Sequence, residues 1–384
     1  MGKSVRHMQW SPTGGCVGLS TKTGDIEVVH FVVPERYQPS CGDSVKNFFT
    51  GIFGGDKKGP ESAEARWSRS VKVTSIDWHP LGTFLGTGWA DGQIVILHQN
   101  NVSKRVILQE DSTDKTKKVL FVKFSVSGNS FCSLDAKYAT CYTKDPAGSW
   151  TKAGSFKMAS TPTAICTRDG SLGKTLPLGR TDVHYAIGTE DGNLYGINSH
   201  GECLVKTKKP TKISFVGFHE ESATIVYVTG SFIYCLDSGR SNWDQKNMFS
   251  LNEPPAKCYL RGETLLCLSD DGLDITIIDV MIDDTWNLKR PSKKDTLVSV
   301  DFTPRKDQII GASGRGHIFV WKSTDTHDGP VYKVAADKNT DLEIYDVAYN
   351  PAGTIIAVND GDKVIFFEED QIFEKEKKEE NKPT

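Results

Sequence analysis

Metal binding and nucleophilic catalysis would draw first on the nine histidines and nine cysteines of this 384-residue chain. Their spacing favours neither. No His-x-x-x-His and no Cys-x-x-Cys occurs, so a metal site would need ligands converging from distant segments. Most cysteines, among them Cys132, Cys235 and Cys267, fall inside alternating apolar runs and read as buried, reduced thiols. His79 and His219 hold the same place in two copies of a repeat, a turn position. Asp91, Asp191 and Asp271 resemble an acidic triad, yet each immediately precedes a glycine, the dipeptide that closes a tight hairpin. The segment Gly54-Gly-Asp-Lys-Lys-Gly-Pro60 lacks the Gly-Lys-Ser/Thr ending of a phosphate loop, and Pro60 follows its last glycine. No catalytic constellation and no cofactor site is expected.

One stretch has a pattern suited to binding. In SVKNFFTGIFGG, Val45, Phe48, Phe49, Ile52 and Phe53 recur at the spacing of one helical face, with Asp43 or Ser44 as cap and Gly54-Gly55 as stop. The pattern predicts a short amphipathic helix. It either folds back onto its own domain or docks a partner or a membrane surface, with Lys46, Lys57 and Lys58 favouring acidic counterparts and the small number of flanking basic residues favouring a partner over a membrane.

The net charge of −3 argues against nucleic acid, which needs a concentrated basic surface. The one dense basic run, Lys206, Lys208, Lys209 and Lys212, reads as a solvated loop between repeats. No apolar run approaches the length of a bilayer span and no apolar leader opens the sequence, which points to a cytoplasmic protein with no transmembrane segment. Arg6 occupies the position where a myristoylation motif wants Ser or Thr.

The elements that must carry these residues repeat eight times. The clearest copy, VTSIDWHPLGTFLGTGWADGQIVIL, alternates apolar and polar residues over three strands, turning first at Pro80 and Gly82 and again at Asp91-Gly92. Where no insert intervenes the spacing is steady: Trp78 to Phe124 is 46 residues and Phe302 to Tyr349 is 47. That is close to the roughly 40–45 residues of a WD40-type blade. The expected fold is an all-β, seven-bladed WD40-type β-propeller over residues 1–335, interrupted at 34–66 by the insertion bearing the apolar stretch. Val331–Ala335 would supply the seventh blade's outer strand, and residues 336–368 would be an eighth unit that starts a second propeller. The alternative is an eight-bladed ring. Residues 369–384 form a charged run expected to be disordered.

The repeats resemble the WD40 family, though the Gly-His start and Trp-Asp end of its standard repeats are missing and only Trp321-Lys322 approximates the latter. Trp78-His79-Pro80 with Gly88-Trp89 before Asp91-Gly92 is similar to the second repeat of the 140-kilodalton-subunit family of intraflagellar transport complex A, and AYNPAGTIIAVND to the start of that family's second propeller. The resemblance implies a non-enzymatic scaffold in retrograde transport, acting in cilium assembly and membrane-protein trafficking. It implies location at the cilium and ciliary base. Other complex A subunits, a tubby-like adaptor, dynein-driven trains and ciliary cargo would be its partners. A vesicle-coat or ubiquitin-ligase adaptor propeller would share the fold, and a propeller enzyme is the remaining alternative.

Overall fold

The computed structural model describes residues 4–31, 65–109, 117–168, 183–219, 224–237, 245–282, 284–288, 295–304, 308–322, 332–335 and 343–368. The amphipathic stretch from Val45 to Phe53, the Gly54–Pro60 loop and the charged tail lie outside them.

The eight sequence units become eight antiparallel sheets, each a meander whose strands pair in chain order. Seven have four strands and the last has three among the described residues. The first strands of the blades are Val5–Trp10, Val73–Trp78, Phe121–Phe124, Pro162–Thr167, Ile213–Phe218, Pro255–Arg261, Leu297–Phe302 and Asp346–Tyr349. Each neighbours the first strand of the next blade, and the last of them neighbours the first, so these strands form the inner wall of a ring.

Burial follows from stacking blade on blade. A second strand is covered on both faces by adjacent blades, so it carries a nearly continuous apolar or small-residue run instead of an alternating one. Cys16–Thr21, Thr224–Thr229 and Ile355–Asn359 are buried at every residue. Outer strands such as Trp150–Lys157 are largely solvated. The core is correspondingly divided into eight apolar clusters, one per seam.

In four of the blades the first turn locks the blade to its predecessor. In blades one, two, three and eight the turn runs Ser11-Pro-Thr-Gly14, His79-Pro-Leu-Gly82, Ser125-Val-Ser-Gly128 and Asn350-Pro-Ala-Gly353. In each the glycine N–H donates to the carbonyl three residues back, at 2.7–2.9 Å. The side chain of the first turn residue then accepts a backbone N–H inside the turn or just beyond it: Ser11 from Cys16, His79 Nδ1 from Leu81, Ser125 from Ser130, Asn350 from Thr354 and Ile355. The glycine has positive φ and presses on the preceding blade's turn. A Cβ on Gly82 would meet Thr13, one on Gly128 would meet His79, and one on Gly353 would meet Pro304.

That relation continues through the last seam. Gly14 of blade one packs against Pro351 and Ala352 of blade eight, in the way every other such glycine meets its predecessor. The Val5 N–H donates to Gly361 O at 2.7 Å, and the Trp10 indole donates to Ala348 O at 3.3 Å. Trp10, Val17, Leu19, Val29 and Phe31 of blade one share a cluster with Ile355, Ala357 and Val364 of blade eight. The expectation of a seven-bladed ring followed by the start of a second propeller is therefore corrected: eight blades close one ring. The eighth unit has apolar faces toward both neighbours, and each is covered, by blade seven on one side and blade one on the other. Tyr332–Ala335 pairs with the third strand of blade seven, as its sequence predicts, but the ring does not end there.

No helix among the described residues is long and apolar enough to cross a membrane.

Candidate functional site: the polar belt of the inner strands

The inner strands alternate between residues facing one neighbouring blade and residues facing the next. In blade two, Ile76 and Trp78 join the core shared with blade one, which leaves Ser75 and Asp77 on the side of blade three. There Ser75 Oγ accepts the Val122 N–H at 3.1 Å, and Asp77 accepts from the Phe124 N–H at 2.8 Å and the Lys123 ammonium at 2.6 Å. Gln9 of blade one donates to the same carboxylate at 3.2 Å. One buried carboxylate thus joins three blades. Burial works against the Lys123 charge, but the Asp77 carboxylate outweighs it and holds the ammonium above the ordinary lysine range.

Blade seven repeats this pattern with one part missing. Ser299-Val-Asp301 stands where blade two has Ser75-Ile-Asp77, and in the following blade Ala348 takes the position of Lys123. Ser299 Oγ donates to Asp346 Oδ1 at 2.6 Å. Asp301 accepts the N–H of its own neighbour, Phe302, at 2.8 Å. Burial pushes the Asp301 carboxyl up to about 7, the Phe302 N–H pulls it down, nearby Asp346 adds to the rise and Arg261 offsets part of it. Arg261 is held by backbone oxygens instead, donating to Thr303 O at 2.6 Å. Across the same seam the Lys257 ammonium donates to Val298 O at 2.9 Å.

The turn carboxylates do what their dipeptides predict. Asp191 accepts from Thr189 Oγ1 at 2.7 Å and Asn193 Nδ2 at 2.6 Å, and Asp271 from Ser269 Oγ at 2.6 Å. Asp91 accepts the Gln93 N–H and pairs with Arg69 at 2.7 Å, whose guanidinium also lies over the Trp89 ring. His79 is a turn residue, its pKa lowered by burial and by Lys144. The basic run is not wholly a loop: Lys206 and Lys208 belong to blade four's outer strand, Cys203–Lys208, and Lys209 reaches across the seam to lie 3.7 Å from the Tyr234 ring centroid in blade five. Among the described residues no three His, Cys, Asp or Glu side chains converge as a metal set. The belt pairs acids with amides, hydroxyls and cations across seams; its chemistry is adhesion and proton binding at Asp301.

Sequence reading did not find this belt, although the Ser-x-Asp triplet at the same place in two repeats was a visible signal.

No family model matches the chain. No curated protein sequence matches it either. Solved structures do. The chain is similar to the C-terminal WD40 domain of Sif2, with TM-score 0.65, 12% identity and 93% of each chain covered. It is similar to Sqt1 of Saccharomyces cerevisiae, with TM-score 0.69, 10% identity and 95% and 96% covered. It is also similar to Sqt1 of Chaetomium thermophilum, with TM-score 0.67, 16% identity and 95% and 96% covered. The fold is a WD40-type β-propeller, here with eight blades.

Proposed function

We propose that the protein is a non-enzymatic interaction scaffold and, more specifically, a subunit of the retrograde intraflagellar transport complex A. It would act in cilium assembly and ciliary cargo and membrane-protein trafficking, from the cytoplasm at the cilium and ciliary base. The observation that carries the scaffold reading is the use made of the polar inner residues. Asp77, Lys123, Gln9, Ser299 and Asp346 bond across seams and hold the ring together. A rigid ring presenting loops and outer strands is suited to holding other proteins. The transport assignment rests on the repeat resemblance in the two stretches around Trp78 and Tyr349.

The proposed contact residues are Val45, Phe48, Phe49, Ile52 and Phe53, whose apolar spacing in an insertion between repeats fits a docking face. Proximity labelling in ciliated cells tests the assignment: other complex A subunits and a tubby-like adaptor should be enriched. Enrichment of vesicle-coat or ubiquitin-ligase components would replace it. Changing Phe48, Phe49 and Phe53 to Ser should weaken that labelling while thermal stability stays within about 1 kcal/mol of the parent, as surface changes do. A large stability loss would instead make the stretch part of the propeller.

A further inference from the structure

The eight cysteines in the described residues are all free thiols. Two pairs of them stand directly opposite each other in antiparallel ladders: Cys132 and Cys141 in blade three, and Cys258 and Cys267 in blade six. Directly opposed Cα atoms lie about 4.5 or 5.5 Å apart. A disulfide spans roughly 4.4–6.8 Å between Cα atoms, so both pairs have a backbone that would accept the bond without moving far.

Their sulfurs differ. Cys258 Sγ and Cys267 Sγ touch at 3.6 Å. In blade three the thiols also reach backbone oxygens, Cys141 to Asn198 O at 3.8 Å and Cys132 to Ser133 O at 3.9 Å, beside their contact with each other. Access differs as well. Cys132 and Cys141 have 0% of their surface exposed, whereas Cys258 is only half-buried, on the inner strand of its blade.

We propose that Cys258 and Cys267 are a reversible oxidation site, joined to a disulfide by hydroperoxides in the folded protein, while Cys132 and Cys141 are not. Hydrogen peroxide is small enough to reach a half-buried thiol. The Cys258 sulfur attacks a peroxide oxygen, the O–O bond breaks, and Cys258 becomes a sulfenic acid as one water leaves. The Cys267 sulfur then attacks the Cys258 sulfur; the S–S bond forms, the S–O bond breaks, and the hydroxyl leaves with the Cys267 proton as a second water. Two thiols are oxidised by two electrons and one peroxide is reduced to two waters. The hydrogen bond between the thiols, with burial, raises Cys258 above the usual cysteine range. Thiolate is therefore scarce at neutral pH, and the reaction should accelerate about tenfold per pH unit until that pKa is reached.

The bond would act at a seam. Lys257 and Arg261, on either side of Cys258, carry the blade six contacts to Val298 and Thr303. Cys258 and Cys267 are nine residues apart, so the closed loop is short and the staple stiffens that hairpin more than it stabilises the whole chain.

Mass spectrometry decides the matter. The reduced full chain is treated with hydrogen peroxide, its remaining thiols are blocked with N-ethylmaleimide, and it is digested with trypsin without reduction. Cleavage after Lys257, Arg261 and Lys289 places Cys258 and Cys267 in separate peptides, 258–261 and 262–289, so the bond appears as a joined pair. Cys132 and Cys141 likewise fall in 124–137 and 138–144. The expected result is a 258–267 link that dithiothreitol removes and no 132–141 link while the fold persists. Cys267→Ser should leave Cys258 as a sulfenic acid that dimedone traps. Failure to form the 258–267 link, its appearance only together with 132–141, or absence of the dimedone adduct in Cys267→Ser would each overturn the proposal.

Discussion

At the scale of single residues, Asp77 and Asp301 show how one repeat position acquires two chemistries. Both stand on an inner strand beside the next blade, but Lys123 answers Asp77 and Ala348 leaves Asp301 without an equivalent cation. An unfolded Asp titrates near 3.9, while folding lifts Asp301 to about 7, chiefly by burial. Between those values the folded chain holds a proton that the unfolded chain has lost. This residue's contribution to stability therefore falls as pH rises from about 4 to about 7, and it stays low above that. Asp301→Asn removes the dependence, so its melting temperature relative to the parent should climb between pH 4 and pH 8. Ala348→Lys supplies the cation used in blade three and should add on the order of 1 kcal/mol at pH 8 and nothing near pH 4. Parallel pH curves for parent and Asp301→Asn would show that the carboxyl titrates normally.

At the scale of elements, blades one, two, three and eight each join a strand to a second strand through a glycine turn pressed onto the preceding blade. Gly128 shows the tolerance: a Cβ there would stand 2.2 Å from His79 Nε2, at a φ of +71°. Gly128→Ala should cost about 1–3 kcal/mol through overpacking and backbone strain, read as a lowered urea midpoint. Trp10→Ala should cost about 3–5 kcal/mol, because Trp10 is 7% exposed, packs tilted against Phe31 and edge-on against Phe366, and bonds across the last seam. A loss below about 1 kcal/mol would mean that this seam is loosely packed. The strands and turns themselves were legible in the sequence, since alternating apolar residues around Asp91-Gly92, Asp191-Gly192 and Asp271-Gly272 are local signals and each became a hairpin. The belt was not, because Asp77 has meaning only beside Lys123, 46 residues away, and Gln9, 68 away. The outer strands were mostly missed for a different reason: Cys203–Lys208 is exposed along most of its length, and without a buried face its lysines looked like loop.

At the scale of the whole molecule, the number of repeats was plain and the number of blades in the ring was not. Ring closure depends on whether the faces of the first and last units fit each other, and that fit is a property of two segments separated by more than three hundred residues, as the bond from Trp10 to Ala348 shows. Seven units supply enough strands to close a ring in principle, so strand counting misled. The packing of Gly14 on Pro351 and Ala352, and of Phe31 on Phe366, marks the last seam as an ordinary one. Closure also sets which surfaces the ring exposes, because no blade face is left open for a second propeller to cover among the described seams. The most direct measurement is the thermal unfolding of the chain truncated after Ala335. With blade eight gone, the apolar faces of blades one and seven lie open, and the truncated chain should lose its single cooperative transition or fail to fold in soluble form. A truncated chain that unfolds cooperatively within a few degrees of the parent would show that seven blades close by themselves, and would contradict the eight-bladed ring.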